Sequence, residues 1–208
     1  MASSAGEADI SGFWTVRRTA AFLGRRRRRG KSPPPLLVFT DPDRTPDPAA
    51  LARRLPRGTG LVYRSFGAPD AGRIAFELSA IARRRGLVLL IGADRGLAMR
   101  CKAQGLHLPE RMAGQAPRLR RRGWIVTAAA HSAAAARRPG IDAFVVSAVF
   151  PSASRSAGPA LGVLRFAQLA RRARAPVYAL GGVSNVTAGR LRLTPASGLA
   201  GVDLHADA

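Results

Sequence analysis

The sequence predicts an α/β fold, a small closed (β/α)8 barrel of the TIM type. Three observations carry that expectation. From Leu36 onward, short and nearly continuous apolar runs alternate with Ala/Arg/Leu-rich stretches, the pattern of parallel strands covered by helices on both faces. Eight such runs fit into one small chain, which favours closure; the pattern alone leaves an open doubly wound sheet as the alternative. With 208 residues, 47% of them hydrophobic, the chain can bury one sizeable core.

Strands are expected at 36–40, 60–65, 87–91, 104–108, 124–128, 142–148, 176–181 and 198–203, each a short apolar run. Helices are expected between them at 47–55, 70–85, 95–103, 111–122, 132–138, 160–174 and 185–192. The stretch 70–85 has the clearest stripe: Ile74, Leu78 and Ile81 stand at i, i+4 and i+7 with arginines opposite. The chain stops soon after the eighth strand, so the last helix is expected to be short or absent.

Residues 1–35 read as a separate, disordered Arg/Pro-rich arm, with the barrel at 36–208. The run Arg25–Arg29 cannot pack into a core, and Pro33–Pro35 favours an extended spacer. Phe13–Leu23 has enough apolar residues for a short helix, and the arm could partly close the gap that a short or absent last helix would leave. Glu7 and Asp9 argue against a transit peptide.

Lys and Arg number 34 against 12 Asp and Glu, a formal charge of +22. Such a balance suggests an anionic partner, although arginine, alanine, glycine and proline also share GC-rich codons. The basic arm keeps nucleic-acid binding as one reading. Against it, no recognition motif occurs, and aromatics are 6% of residues, too few for an aromatic-interleaved basic stripe. No apolar run approaches the ~18–20 residues of a membrane span. Cys101 is the only cysteine, which excludes an intrachain disulfide or a multi-cysteine zinc site. A cytoplasmic location is expected, and Cys101 reads as a small core residue.

In such barrels the chemistry sits at the C-terminal ends of the strands. Two loops there have anion-binding logic. Gly181-Gly182 follows the seventh strand and precedes a helix, so backbone N–H groups can approach a phosphate. Ser152 and Ser154, followed by Arg155, offer two hydroxyls and a cation after the sixth strand. A tight turn and a flexible polar loop are the plainer readings of the two.

The order of these motifs resembles the thiamine phosphate synthase and thiazole tautomerase family over roughly 36–205. "LLVFTD" is similar to its first strand, "VYRSF" to its Gln-x-Arg-x-Lys, and "GLHLPE" to its Asp-Gly-Val-His-Leu-Gly-Gln. "AAHS" is similar to its Ser-x-His, "SAVFPSASR" to its Gly-Pro-x-Phe-x-Thr-x-Thr-Lys, and "APVYALGGVSN" to its Ile-Pro-Val-x-Ala-Ile-Gly-Gly-Ile.

The resemblance implies a transferase that joins hydroxymethylpyrimidine diphosphate to a thiazole phosphate and releases pyrophosphate, with Mg²⁺ holding the diphosphate. It implies that Ser152, Ser154, Arg155, Gly181 and Gly182 bind the thiazole phosphate, with backbone near Val202-Asp203 completing the cradle. Arg64 would bind the diphosphate and Asp94 the metal. The diphosphate half departs from the pattern: Val62 and Phe66 stand where the family has Gln and Lys, Gln104 where it has Asp, and Ala129 where it has Ser. His131 and Arg155 are the catalytic candidates. In the tautomerase branch a histidine at the place of His131 shuttles a proton, and an imidazole suits that work near neutrality. A tautomerase-like or catalytically impaired thiazole phosphate binder is therefore the second reading. His107 reads as a structural strand-end histidine.

Overall fold

The computed structural model describes residues 10–25, 33–152, 154, 158–202 and 204. Eight strands form a closed, all-parallel barrel in which each pairs with its neighbours in sequence, and the eighth returns to the first. They are β1 Leu36–Phe39, β2 Gly60–Tyr63, β3 Val88–Gly92, β4 Gly105–Leu108, β5 Ile125–Ala130, β6 Ala143–Val146, β7 Val177–Ala179 and β8 Gly198–Gly201. All eight expected strands are present.

The strands are apolar on both faces because both faces are buried. On β1, Leu37 and Phe39 point into the barrel and cluster with Val62, Leu90, Val145 and Tyr178. Leu36 and Val38 point outward into a second, larger core beneath the helices. The two-residue period of a strand divides one apolar run between two cores.

The α-helices are α1 Ile10–Gly24, α2 Pro48–Arg54, α3 Ala71–Arg85, α4 Arg95–Arg100, α5 Ala116–Leu119, α6 Gly162–Arg172 and α7 Asn185–Ala188. Three expected helices are reduced, and one of them, 185–192, divides into α7 and a 3-10 turn, Gly189–Leu191. The stretch 111–122 splits into a 3-10 segment, Glu110–Gln115, and α5, because Pro117 lies in the first turn of α5 and starts a helix far better than it continues one. The stretch 132–138 keeps a single 3-10 turn, Ala135–Arg137. Its alanines offer little area to bury, and Pro139 holds Arg138 extended (ψ 139°).

The arm requires a correction. The described part of residues 1–35 is not a flexible tether. α1 packs against β8, α7 and β1, with Val16, Thr19, Ala20 and Leu23 buried at i, i+3, i+4 and i+7. It covers the seam between β8 and β1. Pro33 and Pro34 are buried as well, and the buried Tyr178 hydroxyl donates to the Pro33 carbonyl at 2.7 Å. The arm therefore meets both the wall and the floor of the barrel. Arg26–Arg29, the bulk of the basic tract, lie outside the described residues.

Candidate active site

A cavity of about 1360 Å³ opens at the C-terminal ends of the strands, and loops from all around the barrel line it. Its two ends differ in chemistry. Hydroxyls and glycine backbone form the end over β6 and β7, and arginines line the end over β1 to β4.

At the first end the two expected anion loops meet. The Val149 and Phe150 N–H groups donate to the Leu180 and Gly181 carbonyls at 2.9 and 3.0 Å. Gly181 and Gly182 adopt φ +90° and +62°, left-handed values that favour glycine. They also lie against the neighbouring loop. A Cβ on Gly181 would come within 2.7 Å of the Ala148 Cβ, and one on Gly182 would strike the Pro151 carbonyl oxygen. Ser152 and Ser154 line the same end, ordered by a Ser154 N–H bond to the Ser152 hydroxyl at 3.3 Å. A capping box between Ser184 and Thr187 sets the start of α7 just beyond. Val202 also lines the cavity. Arg155 and Asp203 lie outside the described residues.

The floor is apolar and neutral. His107 is buried, meets Phe39 edge-on at 4.9 Å, and places Nδ1 3.0 Å from the Thr127 hydroxyl. Burial, and secondarily the Arg64 charge, push its pKa down to about 3. His107 is thus a neutral structural side chain, as its strand-end place suggests.

At the second end, Arg64 is held on several sides. Its Nε donates to the Thr40 carbonyl at 2.8 Å, and its Nη2 to Asp41 at 3.1 Å. Its guanidinium lies over the rings of Phe39 and Phe66, at 5.5 and 5.1 Å from their centroids. Burial pulls its pKa down, while Asp41 opposes that shift. Phe66, where the family pattern has a lysine, is 67% exposed and stacks on the one arginine that the pattern keeps. Arg44, Arg95 and Arg111 line this end too. Sequence reasoning missed them, because in a chain this rich in arginine only tertiary placement separates these three from the rest.

Between the ends stands His131, half exposed and facing the cavity. Its Nδ1 lies 2.7 Å from Glu110 Oε2, which also accepts the His131 backbone N–H at 2.6 Å. Its Nε2 lies 3.5 Å from the Ser147 hydroxyl. A carboxylate on Nδ1 selects the tautomer that carries its proton there and leaves Nε2 unprotonated. Glu110 was also missed, although it falls at the final Gln of the matched "GLHLPE" motif; its partner is 21 residues away.

The residues present do not fit the expected Mg²⁺. Mg²⁺ takes oxygen ligands in near-octahedral geometry, usually carboxylates with substrate phosphates. Among the described residues, no group of three His, Cys, Asp or Glu could hold a metal. Asp94 lines the cavity, but its Oδ1 caps α4, accepting the Leu97 N–H at 2.8 Å. Asp41 is engaged by Arg64, and Glu110 by His131. Gln104 does not bear on the question. It precedes β4, at the far end of the strand from the cavity, and its side chain accepts the Leu89 N–H at 2.7 Å.

The family described as thiamine monophosphate synthase matches residues 37–204. The chain belongs to that family.

Among curated members of the thiamine phosphate synthases, it is 28% identical to the thiamine-phosphate synthase of Methanocella arvoryzae over 139 residues. That match covers 62% of this chain and 63% of that protein. It is 31% identical over 134 residues to the thiamine biosynthesis bifunctional protein ThiED of Geobacter sulfurreducens, covering 59% of this chain and 26% of that one. The matches span less than two thirds of these relatives. Among solved structures, thiamine phosphate pyrophosphorylase from Pyrococcus furiosus superposes with a TM-score of 0.68 at 21% identity, covering 83% of this chain and 87% of that one. FabK from Thermotoga maritima reaches 0.65 at 15% identity, covering 90% and 61%, so the barrel itself extends beyond the family. No helix among the described residues is long and apolar enough to cross a membrane.

Proposed function

We propose that the protein is a thiamine phosphate synthase-type transferase, joining hydroxymethylpyrimidine diphosphate to a thiazole phosphate. One observation carries this reading beyond family membership: a single cavity with a hydroxyl-and-glycine end and an arginine end. A reaction between a phosphate ester and a diphosphate ester needs two anion-receiving places, with the reacting atoms between them. Ser152, Ser154 and the Gly181-Gly182 turn would hold the thiazole phosphate. The diphosphate would lie over β1 to β4. The bond from the pyrimidine methylene to the diphosphate oxygen then breaks, its electron pair leaves with pyrophosphate, and the thiazole nitrogen supplies the pair for the new C–N bond. Held side by side, the two partners react without the entropic cost of a bimolecular encounter. The test is direct: incubate the full chain with both substrates, in separate arms with Mg²⁺ and with a chelator, and measure thiamine phosphate and pyrophosphate in each. Both should appear in equal amounts, and absence of the coupled product in both arms would reject the transferase reading.

The Glu110–His131–Ser147 array favours a second reading, proton transfer on a thiazole phosphate. There His131 Nε2 would move the proton and Glu110 would hold the ring. Deuterium uptake into thiazole phosphate, lost in His131→Asn, would identify it.

A further inference from the structure

We propose that the β1–β4 end of the cavity binds the diphosphate through arginines, without a divalent cation. The inference rests on the transferase reading and deepens it. Each carboxylate at this end has a partner in the protein: Asp41 has Arg64 at 3.1 Å and Arg44 at 3.9 Å, Asp94 has the Leu97 N–H, and Glu110 has His131. No set of three metal-ligating side chains occurs among the described residues. Yet four guanidinium groups, Arg44, Arg64, Arg95 and Arg111, come to one rim from four different loops. The Arg111 side chain is exposed and makes no hydrogen bond or ion pair among the described residues.

The charge balance of this rim disfavours a bare dication and attracts a polyanion. Guanidinium groups are also chemically suited to the task. They meet phosphate oxygens in a planar two-point geometry, and fixed cations stabilise charge as it develops on a leaving group. When the methylene–oxygen bond breaks, the electron pair passes to the diphosphate, and these arginines would balance it. Arg64 is prepositioned for this by Thr40, Asp41 and two aromatic rings.

Inorganic pyrophosphate, titrated into the full chain by calorimetry at physiological ionic strength, is the probe. Binding should be one to one in a chelator, and added Mg²⁺ should not tighten it. Arg111→Ala should weaken it at least about tenfold, as expected for a charge-assisted contact. Asp94→Asn, which keeps a capping side chain but removes the charge, should leave binding unchanged or tighter. Arg122→Ala removes an equal charge just before β5, away from the cavity, and should change affinity less than about twofold, as a surface charge would. Binding that requires Mg²⁺, or is lost in Asp94→Asn, overturns the proposal. So does no binding at all, or equal weakening by Arg111→Ala and Arg122→Ala, which would mean diffuse attraction to a basic protein. The two readings fail separately. Metal-independent pyrophosphate binding without coupled product rejects the transferase and keeps the arginine site; product formed only with Mg²⁺ does the reverse.

Discussion

The two ends of the cavity are built from different materials. The end over β6 and β7 is largely backbone: a left-handed glycine pair laced by hydrogen bonds to the loop beside it. The end over β1 to β4 is largely side chain: guanidinium groups carried to one rim from separate loops. A backbone-built site constrains its sequence tightly, because a single Cβ meets the neighbouring loop. A side-chain site can exchange its residues while keeping its charge. The family pattern accordingly keeps its glycine pair and paired hydroxyls at the first end and departs at the second, at Phe66.

The sharpest way to break this contrast is Gly182→Val. The left-handed φ and the collision with Pro151 together should cost at least about 3 kcal/mol of stability. Binding of thiazole phosphate should be abolished while pyrophosphate still binds the folded fraction. Thermal unfolding and calorimetry would show both effects, and a variant with native melting and native binding would deny the backbone-built end.

Leu23→Ala probes the wall beside that end, where α1 covers the β8–β1 seam. Leu23 is fully buried, so its truncation should destabilise the fold by about 2–5 kcal/mol, measurable by urea unfolding. Unchanged stability would restore the view of residues 1–35 as a tether.

His107, on the floor between the ends, gives a pH dependence. Its folded pKa of about 3 lies below the ordinary 6.5. The unfolded chain therefore binds this proton first as pH falls. The contribution of neutral His107 is fully present above about pH 6.5 and is lost from there down towards pH 3, at up to ~1.4 kcal/mol per pH unit. His107→Gln should flatten this part of the pH–stability curve.

The smallest effect is expected from Phe66→Ala. Removing one exposed face of the Arg64 stack should cost about 0.5–1 kcal/mol in pyrophosphate affinity and leave thiazole phosphate binding untouched. Equal losses at both ends would mean that the ends are not independent.

Much of the fold and half of the site were legible in the sequence. The strand order could be read because a strand buried on both faces must be continuously apolar, as "LLVF" and "VLLIG" are. The glycine pair and the two serines could be read because backbone-dictated positions leave a local pattern. Side-chain partnerships across the barrel could not. Glu110 finds His131 from 21 residues away, and Tyr178 finds Pro33 from 145 residues away; nothing in the local sequence at either position indicates its partner.

By itself, then, the sequence determined the eightfold α/β alternation, the family motifs and the backbone-built end of the cavity over β6 and β7, because each is encoded by local periodicity or by residues with special backbone freedom. Only the tertiary structure decided that α1 closes the seam beside β8, that Asp94 caps a helix, and which arginines line the cavity. Those outcomes depend on which distant surfaces meet when the barrel closes, and 32 arginines in one chain carry no local mark of where each will lie.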